Sequence, residues 1–169
     1  MTDIETYLHG MIKLREGKMP AGMKYGSIEE FVLKHGREFT TQPRPANVPQ
    51  MTMRYCYHNA LELAMERGWV YVEGYGISVI PTLHARCVIP TLHAWCVDPA
   101  HPDLVIDPTW TDGRAYYGVE LNTEFVIRMA VETEHYGVLD DWRRGWPLLR
   151  EDAPDGWKYA RVHSGPEIH

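Results

Sequence analysis

A cysteine, a histidine and an aspartate in this 169-residue chain stand where one fold could bring them to one point: Cys56, His93 and Asp107. Together those three types suit nucleophilic thiol catalysis, in which the imidazole takes the thiol proton and the carboxylate fixes the imidazole tautomer. Thiolate is the reactive form of cysteine, and unpaired N–H groups at a helix N-terminus favour it. Cys56 lies in the first turn of a helix predicted over Met51–Gly68, with Ala60, Leu61, Leu63, Ala64 and Met65 on its apolar face and Glu62, Glu66 and Arg67 on its wet one. The segment HAWCVDPAHPDLVIDPTW reads as strand, Pro/Asp turn and strand, a hairpin of residues 92–97 and 104–109. A turn centred near residue 100 puts His93 opposite Asp107, Trp95 opposite Val105 and Val97 opposite Asp103. Directly opposed residues have Cβ atoms about 4.5–5.5 Å apart, within reach of an imidazole–carboxylate bond. The competing structural readings are a small buried thiol on an amphipathic helix and a surface His–Asp pair.

Residues 79–87 and 88–96 read VIPTLHARC and VIPTLHAWC, a direct repeat that differs only at Arg86 and Trp95. One near-identical nonapeptide pair is too short for a solenoid repeat and has the form of an insertion, with local irregularity expected near 80–91. The first copy supplies an alternative base, His84, about 30 Å from His93 along an extended strand. Docking His84 instead requires the second copy to loop out. The repeat also creates His84-x2-Cys87-x5-His93-x2-Cys96, a set of N and S ligands that would suit tetrahedral zinc if the segment were a loop. In a strand, residues three apart point to opposite faces, which works against zinc, and the favoured chemistry calls on no metal and no cofactor.

Around these residues the pattern predicts an α+β fold. Thr2-x-x-Glu5 opens a helix running to Gly17, and Ser27-x-x-Glu30 opens a shorter one ending at Gly36. Three prolines make residues 40–49 a connector. Residues 1–49 thus form a helical N-terminal region ahead of a core at 50–112. WVYVEGYGISVI, residues 69–80, reads as a straight or bent strand. A Gly/Tyr-rich passage follows the hairpin, then a helix capped by Asn122 or Thr123 and a short helix including Val138–Trp142. The Pro/Gly-punctuated tail, 150–169, is expected to pack loosely. Of the aromatic residues, Tyr75, Trp95 and Trp110 are read as substrate-lining side chains, against the alternative that strand aromatics pack a core.

Composition narrows the classes further. A length of 169 residues suits one domain able to bury about 70% of its unfolded surface. The net charge is −6, and apart from Arg143-Arg144 the basic residues are scattered, so no stripe is available for phosphates and nucleic acid is not an expected partner. No apolar run reaches the ~18 residues of a membrane span, and the first twenty residues lack the form of a signal peptide, so a cytoplasmic protein without a membrane partner is expected. Three cysteines, an odd number, do not make a disulfide framework. No G-x-S-x-G and no phosphate-cradling glycine loop is present.

A cysteine at a helix start in RYCYHNALELA, followed by HAWCVD, a turn and VIDPTW, resembles the transglutaminase-like branch of the papain-like fold over about residues 50–112. That resemblance implies a papain-like core, with the cysteine-bearing helix packed on an antiparallel sheet. It makes Cys56 the nucleophile, His93 the base and Asp107 the orienting group. Papain-like enzymes commonly place an oxyanion-hole glutamine six residues before the cysteine, where this chain has Gln50. The implied reaction is acyl transfer from a peptide, protein or small amide substrate through a thioester, of peptidase, amidase, deamidase or transglutaminase type. The repeat just before the base strand departs from the family pattern. A non-catalytic binding protein on the same scaffold is the alternative.

Overall fold

Capping sets the helices. In the computed structural model, which describes residues 1–17, 20–78 and 89–161, Thr2 Oγ1 accepts from Glu5 N–H while Glu5 accepts from Thr2 N–H, opening α1 (Asp3–Arg15). Ser27 Oγ accepts from Glu30 N–H to cap α2 (Ile28–His35), and Gly36 ends it. Next come β1 (Arg37–Phe39) and, after the proline-rich connector, α3 (Cys56–Arg67), which Gly68 closes at φ 66°. The chain continues through β2 (Val70–Ser78), β3 (Thr91–Asp98), β4 (His101–Ile106), β5 (Gly113–Leu121) and α4 (Thr123–Thr133), whose cap is the Asn122 side chain. The fold is mixed α and β, with four α-helices among the described residues. None of them is long and apolar enough to cross a membrane.

The strands form one sheet in the order β1-β5-β2-β3-β4, every neighbouring pair antiparallel. Thr40, just past β1, donates its N–H to Asp103 O and accepts from Val105 N–H, so the two edge strands meet and the sheet curls. Alternation along the strands then yields two cores. Inside the curl lie Phe39, Val70, Val72, Trp95, Val97, Val105 and Tyr116, while the outer face, with Tyr71, Tyr75, Ala94, Cys96 and Leu121, packs against the helices. Trp95 is fully buried and meets Phe39 and Tyr116 edge-on. At ~200 Å² of aromatic surface its burial contributes about 5 kcal/mol at most.

Gly118 shows how tightly the curl is filled. A Cβ there would stand 2.5 Å from Trp95 Cη2 and 2.7 Å from the Glu73 carbonyl oxygen. Gly118→Ala is therefore expected to destabilise the protein by about 2 kcal/mol or more through overpacking, read as a lower urea midpoint at unchanged slope.

Several boundaries differ from the sequence expectations, each for a physical reason. Residues 51–55 form a turn with Arg54 in the left-handed region (φ 72°), so the third helix begins at Cys56 itself and not at Met51. The Gly/Tyr passage is a full strand, β5, buried on both faces over residues 116–119, so it has no polar–apolar alternation there to mark it. No helix forms over Val138–Trp142. Gly137, Gly145 and Pro147 punctuate that stretch, leaving only 3-10 turns at Trp142–Arg144 and Pro147–Leu149. Within the tail, Trp157 O accepts from Asn122 N–H and Tyr159 N–H donates to Glu120 O, pinning 157–159 along β5. The hairpin register also departs from the predicted one: Cys96 lies opposite Ile106 and Asp98 opposite His101, with an irregularity between. Pro102 has no N–H for the ladder, and the backbone groups of Asp103 and Val105 are spent on Thr40. His93 is consequently not directly opposite Asp107, which lies one residue beyond β4. The whole first repeat copy, residues 79–87, with His84 and Cys87, falls outside the described residues.

Candidate active site

α3 runs toward Gly68, β2 runs back beside it, and β3 reverses again. The N-terminus of α3, the end of β2 and the start of β3 therefore share one end of the domain. Cys56 stands there, half-buried, as the first residue of α3. The N-cap Tyr55 offers no side-chain acceptor and the first turn holds no acid, so the leading N–H groups of the helix have no capping side chain. His93, three residues into β3, pairs with Gly74 and is 1% exposed. Its Nε2–H donates to Asp107 Oδ2 at 2.7 Å. Cys56 stands close enough to the same ring to raise its proton affinity, and with Nε2 engaged by Asp107 the ring nitrogen left free is Nδ1. The structure thus brings Cys56, His93 and Asp107 together, the last two as diagonal neighbours across the hairpin.

Asp107 begins the turn Asp-Pro-Thr-Trp. Its Oδ1 accepts from Thr109 N–H at 2.8 Å and Trp110 N–H at 2.9 Å, while Oδ2 also accepts from the Tyr116 hydroxyl at 2.7 Å. Burial alone would raise its pKa, but the His93 bond, the His93 charge and these donors hold it below the ordinary carboxylate range. For His93, burial pulls downward. The hydrogen bonds to Asp107 and Cys56, with their charges, outweigh it and push the ring up to about 9. The imidazolium form of the ring is therefore favoured at neutral pH.

Trp110 stacks on His93 with ring centroids 3.5 Å apart and 7° between planes, so it fixes the ring and shields it from water. Gly76 leaves the space: a Cβ there would stand 2.7 Å from the Trp110 ring. The helix is registered on the same turn. Asn59 Nδ2 donates to Thr109 Oγ1 at 2.9 Å and to Thr52 O at 2.7 Å, and Met51 N–H donates to Pro108 O at 2.7 Å. That Tyr116, Asn59 and Thr109 support this turn was not legible in the sequence. The only signal for Asn59 was its position one helical turn after Cys56, and nothing local pointed to Tyr116.

The remaining sequence-predicted residues are distributed as follows. Gln50 is exposed on the loop that Met51 ties to Pro108. Tyr75 lies on the outer face of β2 and lines a cleft at this end of the domain. Trp95 is a core residue with no exposed surface, a correction to its reading as a groove-lining side chain, because β3 turns that face into the curl. Of the four residues considered for zinc, His93 and Cys96 point to opposite faces of β3. The Cys96 thiol donates to Ala60 O at 3.0 Å, and burial pushes its pKa well up. Among the described residues no group of three or more His, Cys, Asp or Glu side chains is arranged to hold a metal ion.

A second buried carboxylate stands behind the site. Glu73 accepts from the Tyr71 hydroxyl at 2.7 Å and from the N–H groups of Val138 and Leu139, and burial raises its pKa against those bonds. It draws the 137–139 segment onto β2, where Gly137 meets the ring of Tyr57, the residue after Cys56. Comparison with protein-family models, with curated proteins and with solved structures gives no significant match.

Proposed function

We propose that this chain is a cysteine-dependent acyl-transfer enzyme on a papain-like, transglutaminase-like core, acting on amide or peptide bonds through a thioester. The observation that carries the reading is one buried imidazole bonded to a carboxylate through Nε2, with a helix-terminal cysteine close to the ring. In this reading the neutral ring of His93 takes the Cys56 proton as the sulfur attacks the substrate carbonyl carbon. The carbonyl oxygen becomes an oxyanion that the leading N–H groups of α3 stabilise, with the Gln50 amide as second donor; one such donor contributes about 3 kcal/mol. His93 then gives its proton to the leaving nitrogen as the C–N bond breaks, leaving a thioester on Cys56. Water or an amine, deprotonated by His93, attacks that thioester and returns the thiol. Asp107 keeps the tautomer throughout, and Trp110 keeps the ring in plane.

Iodoacetamide tests the proposal. Peptide mapping after brief treatment below pH 7 is expected to find Cys56 alkylated at least tenfold faster than Cys96, and His93→Ala is expected to remove that preference. Equal, slow labelling of both cysteines in the folded protein would leave only the non-catalytic scaffold.

A further inference from the structure

At the shared end of the domain, a cleft of about 660 Å³ opens between α1, α2, the end of β2 and the start of β3. Leu92, one residue ahead of His93, and Tyr75, opposite it on β2, form its inner wall. Glu29 supplies its charge. Glu29 is 3% exposed; Oε1 is 3.5 Å from Arg15 Nη2, the Tyr75 hydroxyl lies close by, and Oε2 has no partner among the described residues. A buried carboxylate oxygen without a donor is unfavourable unless something entering the cleft satisfies it. Among the described residues the charged lining is Arg15, Glu29 and Asp140, one positive and two negative groups, a balance that favours a cation. Tyr7, Tyr75 and Trp146 add aromatic surface, over which a cation is favoured and along which an aliphatic stem can lie.

We propose that this cleft is the subsite for a substrate's aliphatic cation, an ammonium or guanidinium group that Glu29 receives through Oε2, with the scissile or accepting group presented to Cys56. The assignment rests on the thiol acyl-transfer reading. The volume accommodates a lysine- or arginine-sized side chain.

The test uses the full chain with n-butylguanidinium and n-butylammonium as probes and pentanoate as the anionic control. Calorimetric titration is expected to show binding of at least one cation, weakened at least tenfold by Glu29→Gln and about threefold by Asp140→Asn. Pentanoate is expected not to bind. Asp140 is exposed, so its variant reports even if the Glu29 variant is poorly folded. The bound cation is also expected to slow iodoacetamide alkylation of Cys56, an effect absent in Glu29→Gln. Equal binding of pentanoate, or cation binding indifferent to both substitutions, overturns the proposal. Glu29-dependent binding that leaves a fast-reacting Cys56 unaffected overturns the subsite role while the thiol reading stands. Glu29-dependent binding with an inert Cys56 instead removes the thiol reading, and the assignment of the cleft to a substrate goes with it.

Discussion

Cys56→Ala is expected to abolish the stoichiometric burst of p-nitrophenolate that the wild-type chain gives with p-nitrophenyl acetate, and to lower turnover by about four to six orders of magnitude. The ester serves because a reactive thiol acylates on it without a specific acyl-binding pocket. The size of the effect follows from the role proposed for the sulfur: it forms the covalent intermediate, and no other described nucleophile stands beside His93. Stability should scarcely move. Cys56 is half-buried at the first position of α3, where alanine is a good helix former, and the loss is at most one side-chain interaction with His93, about 1 kcal/mol. The variant therefore separates chemistry from folding. A burst retained by folded Cys56→Ala would show that the acyl group goes elsewhere. Absence of a burst in the wild type, with Cys56 inert to iodoacetamide, would reduce the thiol to a packing residue.

The parts of this arrangement differ in how far they can be read from the chain. Cys56 is placed by the apolar face of α3 together with the turn before it, both local features. The encounter of His93 with Asp107 depends on a hairpin only a few residues long, so spacing alone brings them near each other even though the register differs. That register was hidden because Pro102 and Thr40 act together: the proline interrupts the ladder, and a residue some sixty positions earlier in the chain takes up the freed backbone groups. Tyr116 illustrates the opposite limit. It reaches Asp107 only because β5 lies next to β2 in the curled sheet, and that strand, buried on both faces, carries no period-two pattern.

The same distinction applies to charge. Glu29 and Glu73 sit in segments that read as ordinary solvated acids, one near the start of a helix and the other midway along a strand. Their burial arises when α1 and the 137–139 segment close over them. Side-chain chemistry along the chain names candidates, and the fold decides which of them lose water. For His93 that loss is offset by two partners and for Glu29 Oε2 it is not, so the first is a built site and the second a site with room for a ligand.

Asp107→Asn is the other substitution with a large expected effect, and it acts on both rate and pH dependence. The carboxylate accepts from His93, Tyr116 and two backbone N–H groups. An asparagine that keeps its oxygen on Thr109 and Trp110 turns its NH2 toward His93 Nε2, which must then accept. The ring proton moves to Nδ1, the side needed to take the proton of Cys56, and turnover is expected to fall about 10⁴-fold. Linkage supplies the second readout. His93 rises from an ordinary 6.5 to about 9 on folding, so the native state holds an extra proton between those values. Its stabilisation is complete below pH 6.5 and declines as pH rises to about 9, a loss of a few kcal/mol. Asp107, held low, contributes in the opposite sense: its stabilisation is present above the ordinary carboxylate range and is lost as pH falls through its lowered value. Urea midpoints of the wild type are thus expected to decrease from pH 6.5 to 9. Asp107→Asn should be less stable at pH 6.5 and nearly flat across that window, because burial without the carboxylate no longer favours the imidazolium. A variant that kept the wild-type slope would mean that the His93 proton is held by something other than Asp107, and the ordered imidazole on which the thiol chemistry depends would lose its support.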